Sequence, residues 1–173
     1  MKFSRNDIIN LAKNSYENTG AVDVVNLASK LGIEVYAVNE NDNFVAQIKY
    51  SNDEKKFYIL VNKNHPHTRQ RFSIAHELAH FIKHPEKIKN EGVMNRLNGG
   101  DADEERQADK LAAEILMPEE VLEGYLNEKK IDKTQTIKYK FIAHLAEKFK
   151  VSKIVATLRL RHLKYYVPYI EFA

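Results

Sequence analysis

The chain has 173 residues, 43% of them hydrophobic and 29% charged, which fits one domain or one domain with a small appendage. It has no cysteine, which excludes disulfides, thiolate metal sites and thiol nucleophiles and suits a reducing compartment. The net charge of +3 is too small to argue for nucleic-acid binding by itself, and no apolar run resembles a signal peptide or a membrane span, so a cytoplasmic protein is expected.

Ser4-x-x-Asp7 has the form of a capping box, and Ile8, Ile9, Leu11, Ala12 and Tyr16 follow at helical spacing, predicting a helix to about Asn18. A second helix fits Asp23 to Leu31 and stops at Gly32. The period then changes. Ile33 to Val38 is β-branched and aromatic, Phe44 to Tyr50 alternates, and Phe57 to Val61 is continuously apolar, with Ser51-Asn52-Asp53 as a turn. These segments predict a small antiparallel sheet packed against helices, hence an α+β fold.

After a loop around Pro66, a helix from Thr68 to about His84 carries His76-Glu77-x-x-His80. Phe72, Ala75, Leu78, Ala79, Phe81 and Ile82 share its apolar arc, while Ser73, His76, Glu77, His80 and His84 share the opposite one. Residues 86 to 103 are polar and glycine-containing, and a loop is expected there. Asp103 is then placed to cap a helix from Glu104 to Leu116, ended by Met117-Pro118. Three helical segments follow, Glu119 to Asn127, Thr136 to Phe149 and Ser152 to His162, the last two in a helix-turn-helix-like pattern. The tail from Tyr165 to Phe172 reads as extended. Residues 1–118 are therefore expected as one unit, with 119–173 as a helical extension packed on it.

Two histidines four apart on a helix differ by about 40° in direction, so both imidazoles can address one metal ion. Glu77 lies about 100° round from His76, close enough to reach a metal-bound water as general base without being a ligand. Glu105 falls on the apolar stripe of a later helix, where a carboxylate costs several kcal/mol unless paired or metal-bound, and is the natural third ligand. Glu104 remains the alternative. Asp109, one turn beyond Glu105, can orient His76 by accepting an imidazole N–H. Two histidines, a glutamate and an open position suit zinc, although the same set can hold manganese or iron.

The segments Arg69-x-Arg71-Phe72-Ser73-Ile74-Ala75-His76-Glu77-Leu78-Ala79-His80 and Glu105-Arg106-Gln107-Ala108-Asp109-Lys110-Leu111-Ala112-Ala113-Glu114-Ile115-Leu116-Met117-Pro118 resemble the ImmA/IrrE family of metallopeptidases. The likeness extends to Val24-x-x-Leu27-Ala28-x-x-Leu31-Gly32-Ile33. It implies a zincin-like zinc endopeptidase that cleaves a helix-turn-helix repressor, with His76, His80 and Glu105 matching the metal ligands and Glu77 the catalytic base. Ala79 stands where glycine is common in that family and Asp109 where asparagine is common. On this reading any trigger acts from outside the chain.

The other histidines carry less weight. His84 can line the cleft or simply end its helix, His65 and His67 fit a solvated loop, and His144 and His162 fit structural roles. Tyr139, Tyr165 and Tyr166 are candidates for a second oxyanion donor. Lys148, Lys150, Lys153, Arg159, Arg161 and Lys164 allow a DNA-reading tail, but scattered basic residues are more often a solvated face, so DNA binding is not expected. The rival reading is a non-catalytic regulator that holds a repressor or DNA.

Overall fold

The computed structural model describes residues 3–93 and 102–168. Helix α1 spans Arg5–Thr19 and α2 spans Val24–Lys30. The capping box at the start of α1 forms in full, Ser4 accepting from the Asp7 amide and Asp7 from the Ser4 amide. Asp23 caps α2, and Gly32 follows it at φ +75°, a left-handed turn that side chains disfavour.

Strands β1 (Ile33–Val38), β2 (Ala46–Ser51) and β3 (Lys56–Asn62) form one sheet in the order β1-β3-β2. β2 and β3 pair antiparallel, but β1 and β3 pair parallel, so the sheet is mixed rather than wholly antiparallel. The continuous apolar run of β3 is the local sign of its central place: Ile59 and Val61 are buried, and both edges of the strand are hydrogen-bonded. Hairpin turn chemistry fixes only the β2–β3 half of that arrangement.

Helix α3 (His67–Lys83) packs on the sheet and against α5 (Ala102–Leu116). Between them lies α4 (Pro85–Glu91), in the region expected as a loop. Its signals are local, a proline at the first helical turn and Gly92 at φ 72° closing the end, and Ile88 is its fully buried anchor. Residues 94–101, the remainder of that expected loop, lie outside the described residues. Helix α5 begins at Ala102, so Asp103 is in its first turn, paired with Arg106, rather than capping it.

Helices α6 (Glu119–Glu128), α7 (Tyr139–Phe149) and α8 (Lys153–His162) complete the chain. α7 starts three residues later than its periodicity predicts because Thr136 is drawn into a bridge with Tyr166. Lys150, at φ 52°, turns the chain between α7 and α8, and Ser152 caps α8 through the Val155 amide. The predicted extended tail beyond Pro168 falls outside the described residues.

One apolar core runs through both segments of the chain. Phe149 of α7 is fully buried and stacks on Tyr16 of α1, 5.2 Å between centroids. Arg159 of α8 is 2% exposed and donates to the Met117 carbonyl, with Glu114 and Glu119 each 3.8 Å away. Arg5 pairs with the same Glu114 at 2.5 Å. Arg159 is thus a buried bracket between α5 and α8, not part of a solvated basic face. No helix among the described residues is long and apolar enough to cross a membrane.

Candidate metal centre

Helix α3 is buried on both of its arcs. The apolar arc meets the core, and the polar arc is covered by α5 and β2, leaving His76 at 3%, Glu77 at 2% and His80 at 1% exposure. Polar groups so deeply buried need partners, since an unmade hydrogen bond there costs about 1–3 kcal/mol and more for a charge. The partners come from α5 and from the sheet edge.

From α5, Glu105 directs one carboxylate oxygen to His76 Nε2 and the other to His80 Nε2, both at 3.2 Å. One turn on, Asp109 Oδ1 is 2.7 Å from His76 Nδ1. A carboxylate acceptor at that distance suits the tautomer with its proton on Nδ1, which directs the Nε2 lone pair toward Glu105 and His80. Glu104, the alternative third ligand, turns instead toward His84 at 3.9 Å and Lys87 at 3.5 Å. The difference of one residue is the 100° step of a helix, which sends neighbouring carboxylates to different sides.

From the sheet, the Ile48 amide donates to Glu77 Oε2 at 3.0 Å. Ile48 lies in β2, and its amide points away from β3, since the Asn62 amide pairs with the Val45 carbonyl in the alternate register. Tyr50, also pointing outward, donates to the Gly92 carbonyl at 3.0 Å. The edge of the sheet beside the histidines is therefore occupied by the chain itself at two successive outward amides. The motif spacing alone gives no sign of this anchor for Glu77.

The donor chemistry fits a divalent cation. The two imidazole Nε2 atoms stand 2.8 Å apart, and the ligand atoms of His76, His80 and Glu105 all lie within 4.8 Å of one another. Two imidazole nitrogens and a carboxylate turned toward one point are the donor types that a divalent zinc ion takes. Ligand atoms about 2.0–2.2 Å from one zinc ion in tetrahedral geometry stand roughly 3.4 Å apart, close to the spacings here.

Other residues singled out by the sequence fall elsewhere. His65 is buried, its Nε2 3.1 Å from the Phe44 carbonyl, so it pins the loop before α3 instead of sitting in solvent. His144 pairs with the Tyr125 hydroxyl at 2.7 Å. Tyr139 and Tyr165 lie against Lys153 and Lys133 in the C-terminal segment, and Tyr166 is 61% exposed. None of these contacts brings a tyrosine to the histidine pair. Arg71, which the motif reading used only as part of a resemblance, is buried and donates from Nε to the Lys150 carbonyl, tying α3 to the end of α7. Burial pushes its guanidinium below the ordinary value, with Asp23 opposing.

Residues 28–161 match the family model of the peptidase M78 group, the IrrE N-terminal-like domain. The chain belongs to this family. An M78 chain is a metallopeptidase-family protein, and the three-residue cluster agrees with a metal in it. Among solved structures, a Mycobacterium tuberculosis transcriptional regulator shares the fold at a TM-score of 0.55 and 17% identity over 90% of this chain. This M78 chain spans 46% of that regulator's length. No curated protein matches the sequence significantly.

Proposed function

We propose that the protein is a zinc endopeptidase that cuts a peptide bond in a regulatory protein, with His76, His80 and Glu105 as metal ligands and Glu77 as general base. The observation that carries this reading is the convergence of both Nε2 atoms on the two Glu105 oxygens, beside a Glu77 carboxylate held by the Ile48 amide. A zinc ion held there would supply Lewis acidity to a peptide carbonyl; the donor set also suits manganese or iron. Glu77 takes a proton from the attacking water as its oxygen bonds to the carbonyl carbon. The same carboxylate then delivers that proton to the amide nitrogen as the C–N bond breaks. Asp109 holds His76 in the tautomer that leaves Nε2 free to ligate.

Residues 1–118 hold all of these groups, and 119–173 act as a helical extension packed on them. A cytoplasmic helix-turn-helix repressor is the substrate this reading favours, supported by the resemblance of the two motif segments. The description of the matching Mycobacterium tuberculosis chain as a transcriptional regulator is compatible with such a setting. Incubating the zinc-loaded protein with the repressor encoded beside its gene, in parallel with Glu77→Gln, tests the assignment. Cleavage by the wild type alone is expected, and equal cleavage by both sinks the role of Glu77. Metal content unchanged in His76→Ala and His80→Ala would favour a non-catalytic regulator.

A further inference from the structure

Outside the metal centre, one side of α7 carries an open groove of about 590 Å³ lined by Lys138, Lys140, Phe141, Ala143, His144 and Glu147. A second hollow of about 250 Å³ shares Lys138 and Phe141 and continues past Ile131 and Ile137. Together they make a furrow with an apolar floor. Its lining cations are Lys138 and Lys140, both exposed; beside it Tyr125 of α6 stacks on Phe141, with the Lys129 and Lys148 ammonium groups 5.3 and 4.6 Å from the Tyr125 ring centroid. Of the acids nearby, Glu128 pairs with Lys129 at 3.0 Å, so Glu147 is the carboxylate within the groove itself.

We propose that this furrow docks an acidic segment of a partner protein, an apolar side chain entering over Phe141 and Ala143 while carboxylates meet the lysines. Two features favour a protein segment over a nucleic-acid strand. Single-strand binders need open aromatic faces for bases to stack on, whereas Tyr125 carries two ammonium groups and a parallel Phe141 ring 6.3 Å away, and Tyr139 carries Lys153. The cations around the groove are lysines, point charges suited to single carboxylates, without the forked guanidinium that grips phosphate in two places. The docking surface is separate from the metal centre and stands whether or not the peptidase reading does.

The test is fluorescence anisotropy on the full chain with three labelled probes: a short peptide alternating glutamate and leucine, its lysine-for-glutamate counterpart, and single-stranded oligothymidylate. The acidic peptide should bind and the lysine peptide should not, with affinity falling as salt rises. The double variant Lys138→Glu/Lys140→Glu should weaken binding by at least about tenfold, and Ala143→Glu should do likewise by placing a carboxylate in the floor. Lys30→Glu, on α2, should leave it unchanged. Thermal unfolding of each variant checks that it folds; both lysines are exposed, so the double variant decides if Ala143→Glu does not fold. No binding of the acidic peptide, or binding indifferent to Lys138→Glu/Lys140→Glu, overturns the proposal. Tighter binding of oligothymidylate, lost in that same variant, overturns it in favour of nucleic acid.

Discussion

The metal centre and the furrow along α7 both gather charged side chains beside apolar ones, yet they differ in burial and so in what the charges do. At the centre, Glu77, His76 and His80 are almost wholly enclosed, and their partners, the Ile48 amide, Asp109 and Glu105, fix where each atom points. A buried charge left without such partners is worth several kcal/mol of instability, so the site's geometry is set when the chain folds. Around the furrow the lysines are hydrated and screened, so each contributes little to any single pairing. Such charges steer and select a partner; they do not hold a geometry.

On that contrast, the largest effect belongs to the centre. Glu77→Gln should lower kcat about 10²- to 10⁴-fold while bound metal, measured by elemental analysis, stays near wild type. Loss of metal in this variant would mean that Glu77 is a ligand and not a base. Next comes the core that joins the two halves of the chain. Phe149→Ala removes the ring that stacks on Tyr16 and should cost about 3–5 kcal/mol in a urea unfolding series. A cost below about 1 kcal/mol would show that residues 119–173 are only loosely attached to α1.

Asp109→Ala should weaken metal affinity about 10- to 100-fold in a chelator competition, because His76 loses the acceptor that sets its tautomer. Asp109→Asn, which keeps an acceptor oxygen, should recover most of it. The smallest effect is a pH dependence far from the site. Burial pushes the His162 imidazole below its ordinary value, Lys110 and Arg159 add to the shift and Glu114 opposes it, while Nδ1 is buried without a hydrogen-bond partner. The unfolded state then binds more protons between the lowered folded value and about 6.5, so stability falls as pH drops through that window and levels off below it. His162→Gln should flatten the corresponding slope of unfolding midpoint against pH.

Much of the fold was legible because its signals are local. The Ser4–Asp7 box, the start of the last helix at Ser152 and the stop at Gly32 each rest on contacts within a few residues, and all lie where the pattern puts them. The α4 signal was also local, Pro85 at the start and Gly92 at the end, but the polarity of the segment around it masked a helix with one buried anchor, Ile88. Sheet direction was not legible. The β2–β3 turn is short and dictates antiparallel pairing, whereas β1 reaches β3 by a pairing between segments distant in the chain, which the period of two along a strand does not specify.

The sequence by itself determined the chemistry available to the centre. His76 and His80 share a helical face, Glu77 lies beside them, and Glu105 and Asp109 recur one turn apart on a later apolar stripe, all consequences of the 3.6-residue period. Tertiary structure decided which carboxylate faces the imidazoles, Glu105 and not Glu104, because that depends on the angle at which α5 crosses α3. It also decided that Glu77 would be held by a main-chain amide of β2, and that Arg159 would be buried as a bracket between helices. Backbone donors carry no side-chain signature, and burial is a property of packed neighbours, so neither is written in the spacing of residues along the chain.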